Sequence, residues 1–346
     1  MAERSSRDGE RRPKKKQRIT GDDLYRRSTQ YEVWSFTPEQ LSQAKARSNE
    51  KGRALAKARF LEAFHTAKST NPEVFENHPQ DLNESIMNLL TTEEESTYLD
   101  FYIQNITTTC NFFKMPTQVK LTAASFFKKF YLVNSVMEYH PKNVLYTCIF
   151  LAAKSENYFI SIDSFVKALK GVQAADILNL EFILLQSLKF TLLVHHPIRP
   201  LYGFFLDFQA ELLHPAPIMY DVSVDTIGNL YNSAREWLNK YYMSSNVAFL
   251  FAPPHIALAA IADTKKTIVK EDPKAANANR DAKKQPSGRE QYESLVRSIR
   301  KCIKLAKDMP AADREKSKEI DKKCFFALNP RKMIDKRIKK LTAEKS

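Results

Sequence analysis

Few residues in this chain could do chemistry, and their spacing assembles little of it. Four cysteines, Cys110, Cys148, Cys302 and Cys324, form no CxxC pair, and none of the seven histidines stands at ligand spacing to them, so no metal site is expected. Seven glycines in 346 residues leave no material for a phosphate-cradling loop or a dinucleotide fingerprint. No nucleophile, base and carboxylate fall into a recognised catalytic pattern, so the chain reads as a non-enzyme with no catalytic residue and no cofactor. Two charges remain in unusual company. Lys154 closes the run 144–153 (VLYTCIFLAA), apolar at nine of ten positions, and Glu181 interrupts LNLEFILLQSLKF. Burying a lone charge costs several kcal/mol, so each is either an edge group of a bundle or a polar anchor inside an apolar docking surface.

The charge distribution narrows the partners. The net charge of +14 suggests nucleic acid when taken whole. Residues 1–20 carry 8 basic and 3 acidic groups and residues 264–346 carry 25 and 12, whereas residues 21–263 carry 21 and 25. The positive excess therefore belongs to the ends, and the mildly acidic middle argues against direct nucleic-acid binding. Within the first end, Arg11, Arg12, Lys14, Lys15, Lys16 and Arg18 form a compact cluster of the nuclear-import kind. Cys110 and Cys148 lie in apolar runs, as reduced cysteines of an intracellular protein do. The N-terminus lacks an apolar signal core and no later stretch is long and apolar enough to span a bilayer, so no membrane partner is expected.

The elements that position these residues read as helices. Thr37, Pro38 and Gln40 spell an N-cap, a first-turn proline and a capping box, opening a helix over about 38–65. Thr37-Pro38 also fits a proline-directed phosphorylation site, but capping accounts for it. Thr92-Glu93-Glu94-Glu95, again a capping box, opens a helix to about 113, followed by helices over 116–134, 141–156, 161–169 and 173–190. The run 144–153 must sit at the centre of this set, because an amphipathic surface helix would not be apolar all round. An extended link, 195–200, leads to a second set: 200–213, 219–242, 246–251 and a helix opened by Pro253-Pro254. Lys, Asp, Asn and Pro dominate 264–290, which reads as a disordered insertion before a helix over 291–308. In the last helix, 330–341, Met333, Ile334, Ile338 and Leu341 share one side; a basic amphipathic helix of this kind fits nucleic acid or a membrane, but folding back on the body is the commoner fate.

Leu151-Ala152-Ala153-Lys154-Ser155-Glu156 followed by Leu180-Glu181-Phe182-Ile183-Leu184-Leu185 resembles the cyclin box. The run Lys129 to Pro141 (KFYLVNSVMEYHP), Ile198-Arg199-Pro200 with Gly203, Phe204 and Asp207, and Tyr25, Ser28-Thr29-Gln30 and Trp34-Ser35-Phe36 are similar to the cyclin H branch of that family. The resemblance covers about 25–262 and resumes at 291–308. It implies an all-α fold of two consecutive five-helix cyclin boxes flanked by N- and C-terminal helices. The divisions would be a disordered basic tail at 1–24, an N-terminal segment with a long helix at 25–91, a kinase-binding first box at 92–194, a second box with its insertion at 195–308, and a basic helical tail at 309–346.

The resemblance further implies a regulatory subunit that binds a cyclin-dependent kinase in the CDK-activating kinase complex, together with a RING-finger assembly factor and the TFIIH core, in the nucleus. That complex phosphorylates the C-terminal domain of RNA polymerase II and CDK activation loops. Carried over by position, Lys154 and Glu181 would be polar contacts to the kinase, and Leu151, Leu185, Phe190 and Leu192 its apolar docking residues. The first helix of the box has Ile103-Gln104-Asn105 where cyclins often carry arginine, and no role transfers there. Two other readings share the fold: a cyclin of the Mediator- or elongation-kinase type, and a nucleic-acid binder resembling the core of transcription factor IIB.

Overall fold

The computed structural model describes residues 21–80, 82–83, 86–169, 171–213, 223–268, 286–308 and 314–343. The basic cluster from Arg11 to Arg18 lies outside them. Among the described residues the chain is helical, with no strand. The helices are α1 (Gly21–Arg26), α2 (Thr29–Trp34), α3 (Pro38–Thr70), α4 (Pro72–Asn77), α5 (Thr92–Phe112), α6 (Thr117–Val133), α7 (Pro141–Ser155), α8 (Ile162–Lys167) and α9 (Ala174–Ser187). There follow α10 (Ile198–Leu213), α11 (Val224–Trp237), α12 (Val247–Leu250), α13 (Pro253–Ile268), α14 (Pro286–Lys307), α15 (Arg314–Leu328) and α16 (Pro330–Ala343). A π-helical turn, Leu238–Tyr242, extends α11.

Helices α5–α9 form the first bundle around α7, which packs on α5, α6 and α9. Residues Val144, Leu145, Cys148, Ile149, Phe150, Leu151, Ala152 and Ala153 are all buried, as an all-apolar helix requires. Helices α10–α14 repeat the arrangement around α13, whose Ile256, Ala257, Ala259 and Ala260 are buried. Both central helices begin at a proline, which loses no hydrogen bond in a first turn.

Three helices of the first bundle end without glycine. After α5, α7 and α9 the chain turns through Lys114, Asn157 and Lys189, with φ of 52°, 57° and 53°. Each end has the paired bonds of a Schellman motif: Met115 N–H donates to Cys110 O at 2.9 Å, Tyr158 N–H to Ala153 O at 2.8 Å and Phe190 N–H to Leu185 O at 2.9 Å. A left-handed backbone strains any residue with a Cβ by about 1–2 kcal/mol. Lys114→Gly is therefore expected to stabilise the chain by about 1 kcal/mol, read as a higher urea midpoint with unchanged slope.

Long α3 lies across the first bundle, and a buried carboxylate holds it there. Glu95 accepts from Asn49 Nδ2 at 2.6 Å and from Val136 N–H at 2.7 Å, and Ser48 Oγ donates to Tyr131 O at 3.2 Å. The cap of α5 is accordingly Thr91 paired with Glu94, not Thr92 with Glu95, because Glu95 is committed to the core. Residues 21–24, expected in a disordered tail, begin helix α1, and Tyr25 stacks edge-on against Tyr31 and His195. The link at 195–200 is shorter than expected: α10 starts at Ile198, and Pro200 fits its first turn. The ends of the expected insertion are helical too, since α13 runs to Ile268 and α14 starts at Pro286; residues 269–285 lie outside the described set.

The two bundles and α2 meet at a buried polar joint. Gln30 grips the linker through both amide atoms, accepting from His195 N–H at 2.6 Å and donating to His195 O at 3.2 Å. Thr122 gives its one proton to Glu156 at 2.6 Å, which leaves His196 Nε2–H to donate to Thr122 at 2.7 Å and His196 Nδ1 to accept from the Tyr242 hydroxyl at 3.2 Å. Burial lowers the His196 pKa to about 3, consistent with this neutral ring. Beside it, Trp34 donates to Thr191 at 2.8 Å while its ring lies 5.4 Å from Lys129 Nζ.

Lys129 is 2% exposed and its Nζ has no hydrogen-bond partner. Burial lowers its pKa to about 7, as it does for neighbouring Lys128. Their unfolded values are near 10.4, so between about pH 7 and 10 the unfolded chain binds more protons, and stability rises with pH across that window. Lys129→Met is expected to raise stability at pH 7 and to remove part of this rise. Urea midpoints at about pH 7 and pH 9.5 check it, and an unaltered pH slope would count against a neutral buried amine.

The last helix folds back on the body as expected. Ile334, Ile338 and Leu341 of α16 are buried against Phe60, Ala67 and Phe75, with Met333 packed at the edge. Helix α15, not foreseen from the sequence, docks on α5: Lys323 pairs with Glu94 at 2.5 Å, Tyr98 donates to Asp321, and Cys324 Sγ donates to Val136 O at 3.3 Å.

Candidate functional site

Lys154 sits in the last turn of α7 and Glu181 midway along α9, and the packing of these helices brings them together. Nζ and Oε1 are 2.6 Å apart, with the Phe150 ring 4.5 Å from the ammonium. The pair reaches the surface, so it contributes about 1 kcal/mol or less to stability. Its surroundings are apolar. Phe182 is 59% exposed and Phe190 63%, their ring centroids 6.4 Å apart, and Leu178 and Leu193 are exposed as well. Phe159, just beyond the end of α7, is 93% exposed.

The backbone explains the display. Lys189 and Phe190 both have positive φ, which ends α9 abruptly and swings the Phe190 ring outward. After α7, the left-handed turn at Asn157 packs Tyr158 against the core and leaves Phe159 in solvent.

The residues named from the sequence divide into three groups. Lys154, Glu181 and Phe190 are on the face. Leu185 and Leu192 are half-buried against the core beneath it. Leu151 is only 4% exposed, enclosed by the helices around α7, so it supports the face from within and offers almost no docking area. Sequence reasoning missed Phe159, Leu178, Phe182 and Leu193. A signal existed for two of them: Leu178 and Phe182 are one turn apart on a helix whose opposite side, Ile177 and Leu184, fills the core. An edge helix that is apolar on both sides must meet another surface.

Among the described residues no His, Cys, Asp and Glu group could hold a metal, and no helix is long and apolar enough to cross a membrane. All four cysteines are buried, with thiol pKa values raised by burial. An exposed apolar face beside an ion pair has the composition of a protein-docking surface, in which such a pair would set register and selectivity more than affinity.

Tandem helical bundles carrying such a face have the architecture of a docking subunit. The chain matches the family "Cyclin, N-terminal domain" over residues 67–193 and "Cyclin C-terminal domain" over 196–307. It is 33% identical to Cyclin mcs2 of Schizosaccharomyces pombe over 309 residues, covering 89% of this chain and 86% of that one, and 34% identical to Cyclin-H of Xenopus laevis over 254 residues, covering 70% and 68%. Cyclin CCL1 of Saccharomyces cerevisiae is 37% identical over 260 residues, 75% of this chain, and the chain spans 63% of that relative's length. Among solved structures, a chain of the Chaetomium thermophilum CAK complex bound to ATP-γ-S aligns with TM-score 0.65 and 27% identity over 93% of this chain and 90% of that one. A chain of the yeast TFIIK (Kin28/Ccl1/Tfb3) complex aligns with TM-score 0.57 and 30% identity over 82% and 100%. The chain belongs to the cyclin family, in its cyclin H branch. As a cyclin it is a regulatory subunit of a kinase, not an enzyme.

Proposed function

We propose that this chain is the cyclin of a TFIIH kinase module, holding a cyclin-dependent kinase through the face around Lys154 and Glu181. The observation that carries the reading is the exposure of Phe182 and Phe190 beside that ion pair, in a chain similar to those of the CAK and TFIIK complexes. The kinase's regulatory helix lies over this face. A cyclin that binds only the inward arrangement of that helix shifts the kinase toward the state in which its glutamate reaches the ATP-positioning lysine. A RING-finger assembly factor is the third subunit, the TFIIH core anchors the module, and the complex acts in the nucleus on the polymerase C-terminal domain and on CDK activation loops. The first box spans 92–194 and the second 195–308. Affinity purification of the tagged chain from its native source tests this: a cyclin-dependent kinase, a RING-finger protein and TFIIH core subunits are expected together. Recovery of Mediator subunits or an elongation kinase in their place would overturn it.

A further inference from the structure

Helix α16 carries an ordered row of lysines that the kinase-docking role does not use. The sequence alone assigns the C-terminal positive charge to a tail, but the part of it carried by α16 lies on a helix packed against the body. At about 100° per residue, Pro330, Ile334, Ile338 and Leu341 occupy one arc of α16, and they are buried. Lys332, Lys336 and Lys339 fall on the opposite arc, within about 60° of one another. All three are exposed. Asp335 stands at the flank, the one acidic residue of α16. Lys332 and Lys336 are four residues apart and Lys336 and Lys339 three, so like charges neighbour each other along the helix; Asp335, three residues from Lys332 and four from Lys339, offsets part of this and leaves a net positive row.

We propose that this face of α16 binds the phosphate backbone of duplex nucleic acid without reading its sequence. The three lysines span about 10 Å along the axis, roughly the rise of three phosphates on one DNA strand. Lysine supplies point charges without the planar fork suited to base edges, and the row itself has no aromatic residue for stacking on bases. Phe325, which neighbours the row, is taken by Lys332 at 5.8 Å. A membrane does not fit, because the apolar side of α16 is already buried on α3 and α4. An acidic polypeptide offers charge but no fixed spacing to match a straight row. The inference does not depend on which kinase the cyclin holds.

The test is fluorescence anisotropy of the full chain with a labelled duplex of mixed sequence, titrated with salt. The wild-type chain is expected to bind at low salt with a steep log–log salt dependence. Lys332→Gln with Lys336→Gln and Lys339→Gln is expected to weaken binding at least tenfold and to lower the salt slope by roughly three, with an unchanged melting curve. The corresponding triple change to arginine retains binding. The same loss is expected when Arg11, Arg12, Lys14, Lys15, Lys16 and Arg18 are already neutralised, which separates α16 from the N-terminal cluster. Should the triple variant fold poorly, Lys336→Gln alone reads a slope change of about one. Absence of duplex binding at low salt, or glutamine variants that bind as the wild type does, overturns the proposal. So does poly-glutamate bound as tightly as DNA with the same dependence on the three lysines, which would assign the face to an acidic protein.

Discussion

Replacing Phe182 and Phe190 together with alanine is expected to remove kinase activation while leaving the cyclin folded. Both rings stand mostly in solvent, so their loss opens no cavity in the cyclin itself. Burying such a side chain against a partner contributes about 1.5–3 kcal/mol, and large aromatic anchors dominate interfaces of this kind. Losing two of them weakens the complex by about 3–6 kcal/mol, or two to four orders of magnitude in Kd. Titrating the kinase with wild-type and variant cyclin and measuring phosphorylation of a peptide substrate reads this directly. The activation curve moves to far higher cyclin concentration while the melting temperature stays in place. Equal activation by the variant would place the kinase on another surface.

The largest effect on stability is expected at Gly52. A Cβ there would lie 2.2 Å from both Cβ and Oγ of Ser135, and Ser135 is itself buried in the turn that follows α6. A Ser Cβ moves only with its backbone, so α3 must shift off the first bundle, straining the Asn49–Glu95–Val136 hydrogen bonds one turn away. Overpacking costs about 1–3 kcal/mol, and a 2.2 Å approach to a Cβ puts Gly52 at the upper end, above the gain of about 1 kcal/mol from replacing a helical glycine by alanine. Gly52→Ala is expected to lower stability by about 2 kcal/mol. Gly228→Ala in α11, where a Cβ meets nothing within 4 Å, should instead gain up to about 1 kcal/mol. Urea unfolding of the two variants side by side checks the sign of each, and a neutral or stabilising Gly52→Ala would contradict the tight α3 contact.

The features legible in the sequence were those with local causes. Thr37 and Gln40 announce the start of α3 because the two side chains satisfy each other's backbone. The apolar run in α7 announces its own burial, and the spacing of Ile334, Ile338 and Leu341 announces a docked helix. The features that the sequence does not mark depend on distant partners. Glu95 looks like a capping acid, yet it is the buried link between α3 and the turn at Val136. The ends of α5, α7 and α9 carry no glycine to mark them, since tertiary packing of Met115 and Tyr158 holds lysine and asparagine in the left-handed region. Helix α15 has a weak pattern of its own and is held by Glu94, Tyr98 and Val136. At the candidate site Lys154 and Glu181 drew attention as charges in apolar runs, whereas Phe159 and Phe182 resembled core residues until the fold turned them outward.

Exchanging the charges of the central pair tests the docking face most directly. Lys154→Glu with Glu181→Lys keeps two opposite charges at the 2.6 Å contact, so a purely structural ion pair survives the exchange. A kinase docked there meets each charge reversed, and like charges facing each other across an interface cost several kcal/mol. The exchanged cyclin, with an unaltered melting temperature, is predicted to lose kinase binding and activation by at least about a hundredfold relative to wild type. Activation equal to wild type by the exchanged protein would contradict the assignment of this face to the kinase.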